Sequence, residues 1–258
     1  MTARVLAAWA ACSASLLGAP NPSPSLVIRG KPQSVSFISS SPAPLSAAQP
    51  HDRAVLLLPG DGGWRGLAIT IGEEVSRWNY DVYGFDTKQY LESFTESKKT
   101  LSESEMRADM HAIVEWIRAR GAKSVTILGW SQGAGMAVLA AGEDAGRPDG
   151  VVTLGLPESA VLGWNWKDTL AVIAHREPDE PHVAMKSYLA DVTPVPIWMI
   201  HGTLDEFTTP EAARTLFSLA SEPKRLVEIE GGNHHFDGKR DRLYQALREG
   251  LDWVRTKQ

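Results

Sequence analysis

From residue 54 onward, short apolar runs alternate with stretches of helical period, and this alternation limits the fold more than any other feature of the chain. The runs are AVLLL (54–58), DVYGF (81–85), SVTILG (124–129), GVVTLG (150–155), PIWMIH (196–201) and RLVEIE (225–230). They are rich in Val, Ile and Leu and mostly not alternating, the pattern of strands buried on both faces. Helical segments are expected between them, near 66–78, 102–120, 132–143, 209–221 and 239–256. In the second of these, Ser102 and Glu105 read as a capping box, and Met106, Met110, Ile113, Val114 and Ile117 form one apolar stripe. Repeated β–α alternation implies a mostly parallel central sheet with helices on both faces, an α/β fold in one domain over residues 53–258. Residues 157–194 break the rhythm and read as an insertion and a candidate lid.

The segment before that domain has a different character. Residues 1–20 carry one cation, Arg4, then an uncharged apolar run and small residues, with Pro20, Pro22 and Pro24 close behind. The apolar run is short for a membrane span and suits a secretory signal, so export to a bacterial periplasm is expected. Cys12, in Trp-Ala-Ala-Cys, offers an alternative as a lipoprotein attachment site. Residues 21–52 are rich in Pro and Ser, with two β-like runs that suit a leading hairpin or edge strands. Cys12 is the single cysteine, which excludes a disulfide framework within the chain. A formal charge of −5 without a Lys/Arg cluster argues against nucleic acid as a partner.

The strongest chemical signal is Gly129-Trp130-Ser131-Gln132-Gly133, which follows an expected strand and opens an expected helix. A serine on so tight a turn needs small neighbours two positions away on either side. The Gln132 N–H then lies at a helix N-terminus, where it can stabilise developing negative charge. A serine nucleophile needs a base, and the base needs an orienting acid. Asp205 follows the strand at 196–201, and His234 and His235 follow the last strand, all in the chain order this chemistry uses. Glu206 adjoins Asp205, but the spacing from His201 favours Asp205, and His201 reads as a buttress of that turn. Local chemistry does not separate His234 from His235.

The turn after the first major strand, Pro59-Gly60-Asp61-Gly62-Gly63-Trp64, fails as a nucleotide loop because it lacks Gly-Lys-Ser/Thr and carries an acid. It suits the second oxyanion-hole N–H, assigned to Asp61, whose carboxylate must then point away from the oxyanion or toward a cation. Asp61, Trp64, Trp130 and Glu206 are the expected substrate contacts. Trp164, Trp166 and Trp198 fit core filling as well as a pocket. His175 and His182, near Asp179 and Glu180, fit solvated charge better than a metal site, and neither a metal nor a cofactor is expected. Asp86 stands at a strand end near the active edge as a turn former or ligand contact.

LLLPGDGGWRG, GWSQGA, HGTLDEF and GGNHHFDG together resemble the VirJ/AcvB bacterial virulence proteins, over roughly residues 53–256. The resemblance implies an α/β-hydrolase fold, a periplasmic location, Ser131 as nucleophile and Asp205 as acid. Its Gly-Gly-x-His-x-Phe spacing selects His234, with Phe236 two positions on. It further implies hydrolysis of aminoacyl-phosphatidylglycerol, with membrane-surface contact, and association with a type IV secretion system. The chain departs from the family in having Lys98-Lys99 where paired arginines precede a Thr-Pro. The expected function is thus ester hydrolysis by Ser131, His234 and Asp205 on a small-molecule or lipid-headgroup ester, lysyl-phosphatidylglycerol foremost. A general carboxylesterase or dienelactone-hydrolase-like enzyme is the alternative within catalysis. A secretion-associated interaction protein with a relic triad is the alternative outside it.

Overall fold

The computed structural model describes residues 25–40, 52–97, 99–142, 145–173 and 178–257. The expected leader with Cys12, and His175, lie outside the described residues. The chain opens with β1 (Leu26–Ile28), β2 (Lys31–Gln33) and β3 (Val35–Ile38), and β4 (Arg53–Leu58) then begins the alternation. There follow α1 (Leu67–Ser76), β5 (Asp81–Phe85), α2 (Thr87–Ser93), α3 (Glu103–Arg118), β6 (Ser124–Trp130), α4 (Gln132–Ala140) and β7 (Gly150–Leu154). Next come β8 (Ser159–Val161), α5 (Trp166–Ile173) and β9 (His182–Ala184), with two short 3-10 turns at Met185–Ser187 and Leu189–Val192. β10 (Ile197–Gly202), α6 (Pro210–Leu219), β11 (Lys224–Ile229) and α7 (Arg240–Arg255) complete the chain.

Seven strands form one sheet in the order β11-β10-β7-β6-β4-β5-β3. All neighbours are parallel except β3, which runs antiparallel to β5 at the edge. The expected mostly parallel sheet is therefore what the chain builds. Its apolar runs serve two cores at once. On β4, Ala54, Leu56 and Leu58 face the side covered by α3 and α4, while Val55 and Leu57 face the side covered by α1 and α7. Each side is closed by a helix stripe: Met106, Met110, Ile113 and Ile117 of α3 on one, and Leu243, Leu247, Leu251 and Val254 of α7 on the other.

The capping box of α3 forms as its sequence dictates. Ser102 Oγ accepts the Glu105 N–H at 3.2 Å, and Glu105 Oε2 accepts the Ser102 N–H at 2.8 Å. The leading segment supplies both of its expected forms, a β1–β2 hairpin and the edge strand β3. Arg29, at the hairpin turn, ties it to α3 through Glu105 (2.8 Å) and Asp109 (2.6 Å). Tyr90 of α2 donates to the same Asp109 at 2.7 Å, so this partly buried acid is shared rather than isolated.

The described residues of the segment 157–194 pack into the domain through β8 and β9. β8 and β9 pair antiparallel, and Ala160, Val161, Leu162, Trp164, Val183 and Met185 are buried in the α3–α4 core. Most of the expected lid is thus a wedge in the core. Exposed apolar side chains remain on α5, at Trp166 and Leu170.

Candidate active site

Ser131 joins β6 to α4 with φ 54° and ψ −121°, a left-handed conformation that costs a side-chain-bearing residue strain. Its surroundings hold it there. The Ser131 N–H donates to the Leu154 carbonyl of β7 at 2.9 Å. A Cβ at position 133 would stand 2.1 Å from the Leu58 carbonyl oxygen, and one at 129 would stand 2.3 Å from the carbonyl oxygen of Gly133. The two glycines are therefore demanded by close passage of backbone, and β4, β6 and α4 meet at the serine because nothing protrudes between them.

Two backbone elements flank Ser131 where oxyanion donors are expected. The Gln132 N–H is the first of α4 and has no carbonyl one turn back to bond, so it is free by helix geometry. The Gln132 side chain is committed elsewhere: its amide donates to the Val161 carbonyl at 2.9 Å and accepts the Val161 N–H at 3.0 Å. On the other side, a Cβ at Gly60 would lie 3.1 Å from Ser131 Cβ and 3.6 Å from Ser131 Oγ. Asp61 and Gly62 occupy the bend of a turn closed by the Gly63 N–H donating to the Gly60 carbonyl at 3.0 Å. Asp61 is half-buried there.

The acid and the base meet beside this serine. His234 Nδ1 lies 2.8 Å from Asp205 Oδ2, and both residues are buried. Asp205 Oδ1 accepts the N–H groups of Phe207 (2.9 Å) and Thr208 (3.0 Å). Burial pushes the Asp205 pKa up, but the hydrogen bond and charge of His234, with the two backbone N–H groups, outweigh it and leave the acid below its ordinary value. A Cβ at Gly155 would stand 3.1 Å from Asp205 Oδ2 and from His234 Nδ1. Gly155 directly follows Leu154, which holds the serine, so one strand end carries both halves of the site. Among the described residues no hydrogen bond joins Ser131 Oγ to the His234 ring. Such catalytic bonds are often long before substrate binds and tighten in the complex.

The structure separates the two histidines that sequence chemistry leaves equal. His234 is buried against Asp205, whereas His235 is exposed with its ring edge-on to Trp130 at 5.2 Å. Trp130 Nε1 donates to the His234 carbonyl at 3.2 Å, and Glu206 Oε2 accepts the His234 N–H at 3.0 Å. Trp130 and Glu206, expected as substrate contacts, therefore grip the backbone of the histidine from both ends. His201 buttresses the acid turn as expected, its Nε2 bonded to the Thr208 carbonyl at 2.9 Å. Burial pulls the His201 pKa down, and the Asp205 charge and the Thr208 carbonyl only partly oppose this.

Trp64 is a correction. Its ring packs into a notch between β5 and α1, where a Cβ at Gly84 would meet Trp64 Cη2 at 2.1 Å and one at Gly72 would meet it at 3.2 Å. That placement makes it a wedge holding the Gly-Asp-Gly-Gly-Trp turn rather than a substrate contact. Asp86 caps α2 by accepting the Gln89 N–H at 3.0 Å, and Trp164 and Trp198 fill cores. In the charged stretch around residue 180, Glu180 accepts a hydrogen bond from Asn165 at 2.6 Å, and His182 is exposed on β9. One residue near the site escaped the sequence reading. Thr87, wholly buried, donates its hydroxyl toward the Pro59 carbonyl (2.8 Å) and the Gly60 carbonyl (3.0 Å). The signal available in the sequence was a threonine following Asp86 at the end of the apolar run 81–85.

Known proteins share this architecture. A family model described as bacterial virulence protein (VirJ) matches residues 52–155, so the resemblance holds across the glycine turn and Ser131 but stops before Asp205 and His234. The uncharacterized protein YfhR of Escherichia coli (strain K12) is 26% identical over 181 residues, 67% of this chain and 59% of that protein's length. Among solved structures, Est1E from Butyrivibrio proteoclasticus superposes with a TM-score of 0.65 at 13% identity, covering 91% of this chain and 99% of its own. XC6422 from Xanthomonas campestris, described as an α/β serine hydrolase without lid, gives 0.62 at 20% identity, covering 93% and 97%. The fold is that of the α/β-hydrolases.

Proposed function

We propose that this protein is an exported serine hydrolase that cleaves a carboxylic ester. The buried His234–Asp205 pair at 2.8 Å, beside a serine held at positive φ, carries the reading. With Nδ1–H given to Asp205, His234 presents the lone pair of Nε2 and can take the proton of Ser131 Oγ as that oxygen attacks the acyl carbonyl. The tetrahedral oxyanion is met by the N–H groups of Gln132 and Asp61. His234 then protonates the leaving alkoxide, and the acyl-serine is hydrolysed by a water that His234 deprotonates in turn. Asp205, kept ionised by its hydrogen bonds, holds the imidazole in the productive tautomer and balances its charge.

For the substrate, the VirJ resemblance over residues 52–155 supports an aminoacylated phospholipid, with the half-buried Asp61 at the mouth of the oxyanion turn available to a lysyl ammonium. One observation favours a second reading, a general esterase for apolar acyl groups. Phe207 lies with its ring 4.8 Å from that of His234, and both it and Leu204 are exposed, which gives the site an apolar rim. Purified protein on liposomes containing lysyl-phosphatidylglycerol, followed by free lysine, separates these readings from each other. Lysine release that is lost in Ser131→Ala supports the first; turnover of neutral apolar esters alone supports the second. Failure of Ser131 to label with a fluorophosphonate would leave the non-catalytic role of an interaction protein.

A further inference from the structure

Thr87 sits at the first position of α2, where no carbonyl of its own helix lies one turn back for its hydroxyl to bond. Here it leaves its helix instead. Oγ1 stands 2.8 Å from the Pro59 carbonyl oxygen and 3.0 Å from that of Gly60, and the residue is fully buried. A hydroxyl has one proton, so the two carbonyls share it and both must face Thr87. The Gly60 carbonyl also takes the Gly63 N–H, so both of its acceptor directions are filled.

This orientation has a covalent consequence. The Gly60–Asp61 peptide is trans, and in a trans peptide the C=O and the N–H point in opposite directions. Fixing the Gly60 carbonyl toward Thr87 therefore aims the Asp61 N–H the other way. The turn runs directly beside the serine, for a Cβ at Gly60 would stand 3.1 Å from Ser131 Cβ, so the direction of this one peptide decides whether its N–H can reach the oxyanion. Glycine turns flip peptides at little cost, so with the Gly63 N–H as its one remaining partner the Gly60 carbonyl would hold this direction only part of the time.

Resting on the serine-hydrolase reading, we infer that Thr87 is a positioning residue whose hydroxyl locks the Gly60–Asp61 peptide so that the Asp61 N–H faces the oxyanion. Thr87 touches no substrate; it acts through the turn. The lock matters most in the transition state, when the acyl oxygen gains charge, so its loss lowers kcat and leaves KM nearly unchanged.

The test compares Thr87→Val, Thr87→Ala and Thr87→Ser on an activated ester, with thermal unfolding and Ser131 labelling measured on each. Removing an oxyanion donor outright costs about 10²–10³ in kcat, so a donor mis-aimed part of the time should cost about 10- to 100-fold in the Val and Ala variants. KM should stay within about twofold, and Thr87→Ser should restore kcat to within about threefold. A lower melting temperature with unchanged kcat per folded, labelled site would overturn the inference. Crystal structures of wild type and Thr87→Ala decide it independently of turnover: a flipped or split Gly60–Asp61 peptide in the variant supports it, and an unchanged peptide refutes it. Absence of wild-type labelling and turnover would instead sink the hydrolase reading, with the peptide orientation still decided by those structures.

Discussion

At the scale of single residues, the site is built from side chains that hold backbone. Asp205 spends one oxygen on His234 and the other on two N–H groups of its own turn, and so fixes the imidazole and the turn together. Asp205→Asn keeps the shape but presents an amide that favours the wrong tautomer of His234. Its kcat should fall about 10⁴-fold with the fold intact, read by ester turnover beside a thermal melt. The pairing of Asp205 with His234 was legible in the sequence because each follows an apolar run of its own. The roles of Trp130 and Glu206 were not, because bonds to the two ends of the His234 peptide link residues 104 and 28 positions apart. Sequence chemistry sees a second acid next to Asp205 and assigns it to substrate; only the fold shows that it faces a main-chain N–H.

At the scale of elements, six expected strands and five expected helices form within three residues of their sequence bounds, since each has a period or an apolar run of its own. α2 lacks such a signature: Thr87–Ser93 is barely two turns long, and its start is set by the Asp86 cap and by the fit of Thr87 beneath the glycine turn. β8 and β9 were hidden for a related reason, as short pieces whose apolar faces complete a core made by other elements. Strand order also lies beyond a local reading, because β4 sits between β5 and β6 only through crossovers that the whole sheet must satisfy. The β5–α1 contact offers a direct test of packing. Gly84→Ala forces a methyl into the Trp64 ring and should destabilise by about 1–3 kcal/mol in denaturant titration. Gly84→Ala combined with Trp64→Leu should cost less than the two single changes summed, since the smaller side chain vacates the clash.

At the scale of the whole molecule, buried ionisable groups tie the fold to pH. The folded state holds His201 below its ordinary pKa, so the unfolded chain binds its proton more readily. The stability linked to His201 is complete above about pH 6.5, the unfolded value, and declines as pH falls toward the depressed folded value. Asp205 has the same sign at lower pH: its contribution is present above about pH 3.9 and is lost as pH falls through its depressed folded pKa. The loss of melting temperature between about pH 7 and pH 5 should therefore be smaller in His201→Gln than in wild type, measured by calorimetry at matched ionic strength. An equal slope in the two proteins would remove His201 from the account.

The double hydrogen bond between the Gln132 side chain and Val161 reaches beyond packing. Gln132 presents the first N–H of α4 beside Ser131 with its main chain and clasps β8 with its side chain. Trimming residues 157–194 to widen the cleft, an obvious step for a protein engineer, would strip a buried amide of both partners at about 1–3 kcal/mol for each orphaned group. The same cut would loosen the residue that follows Ser131. The excursion is a keystone, and redesign of the cleft has to begin at its outer face, where Trp166 and Leu170 already stand in water.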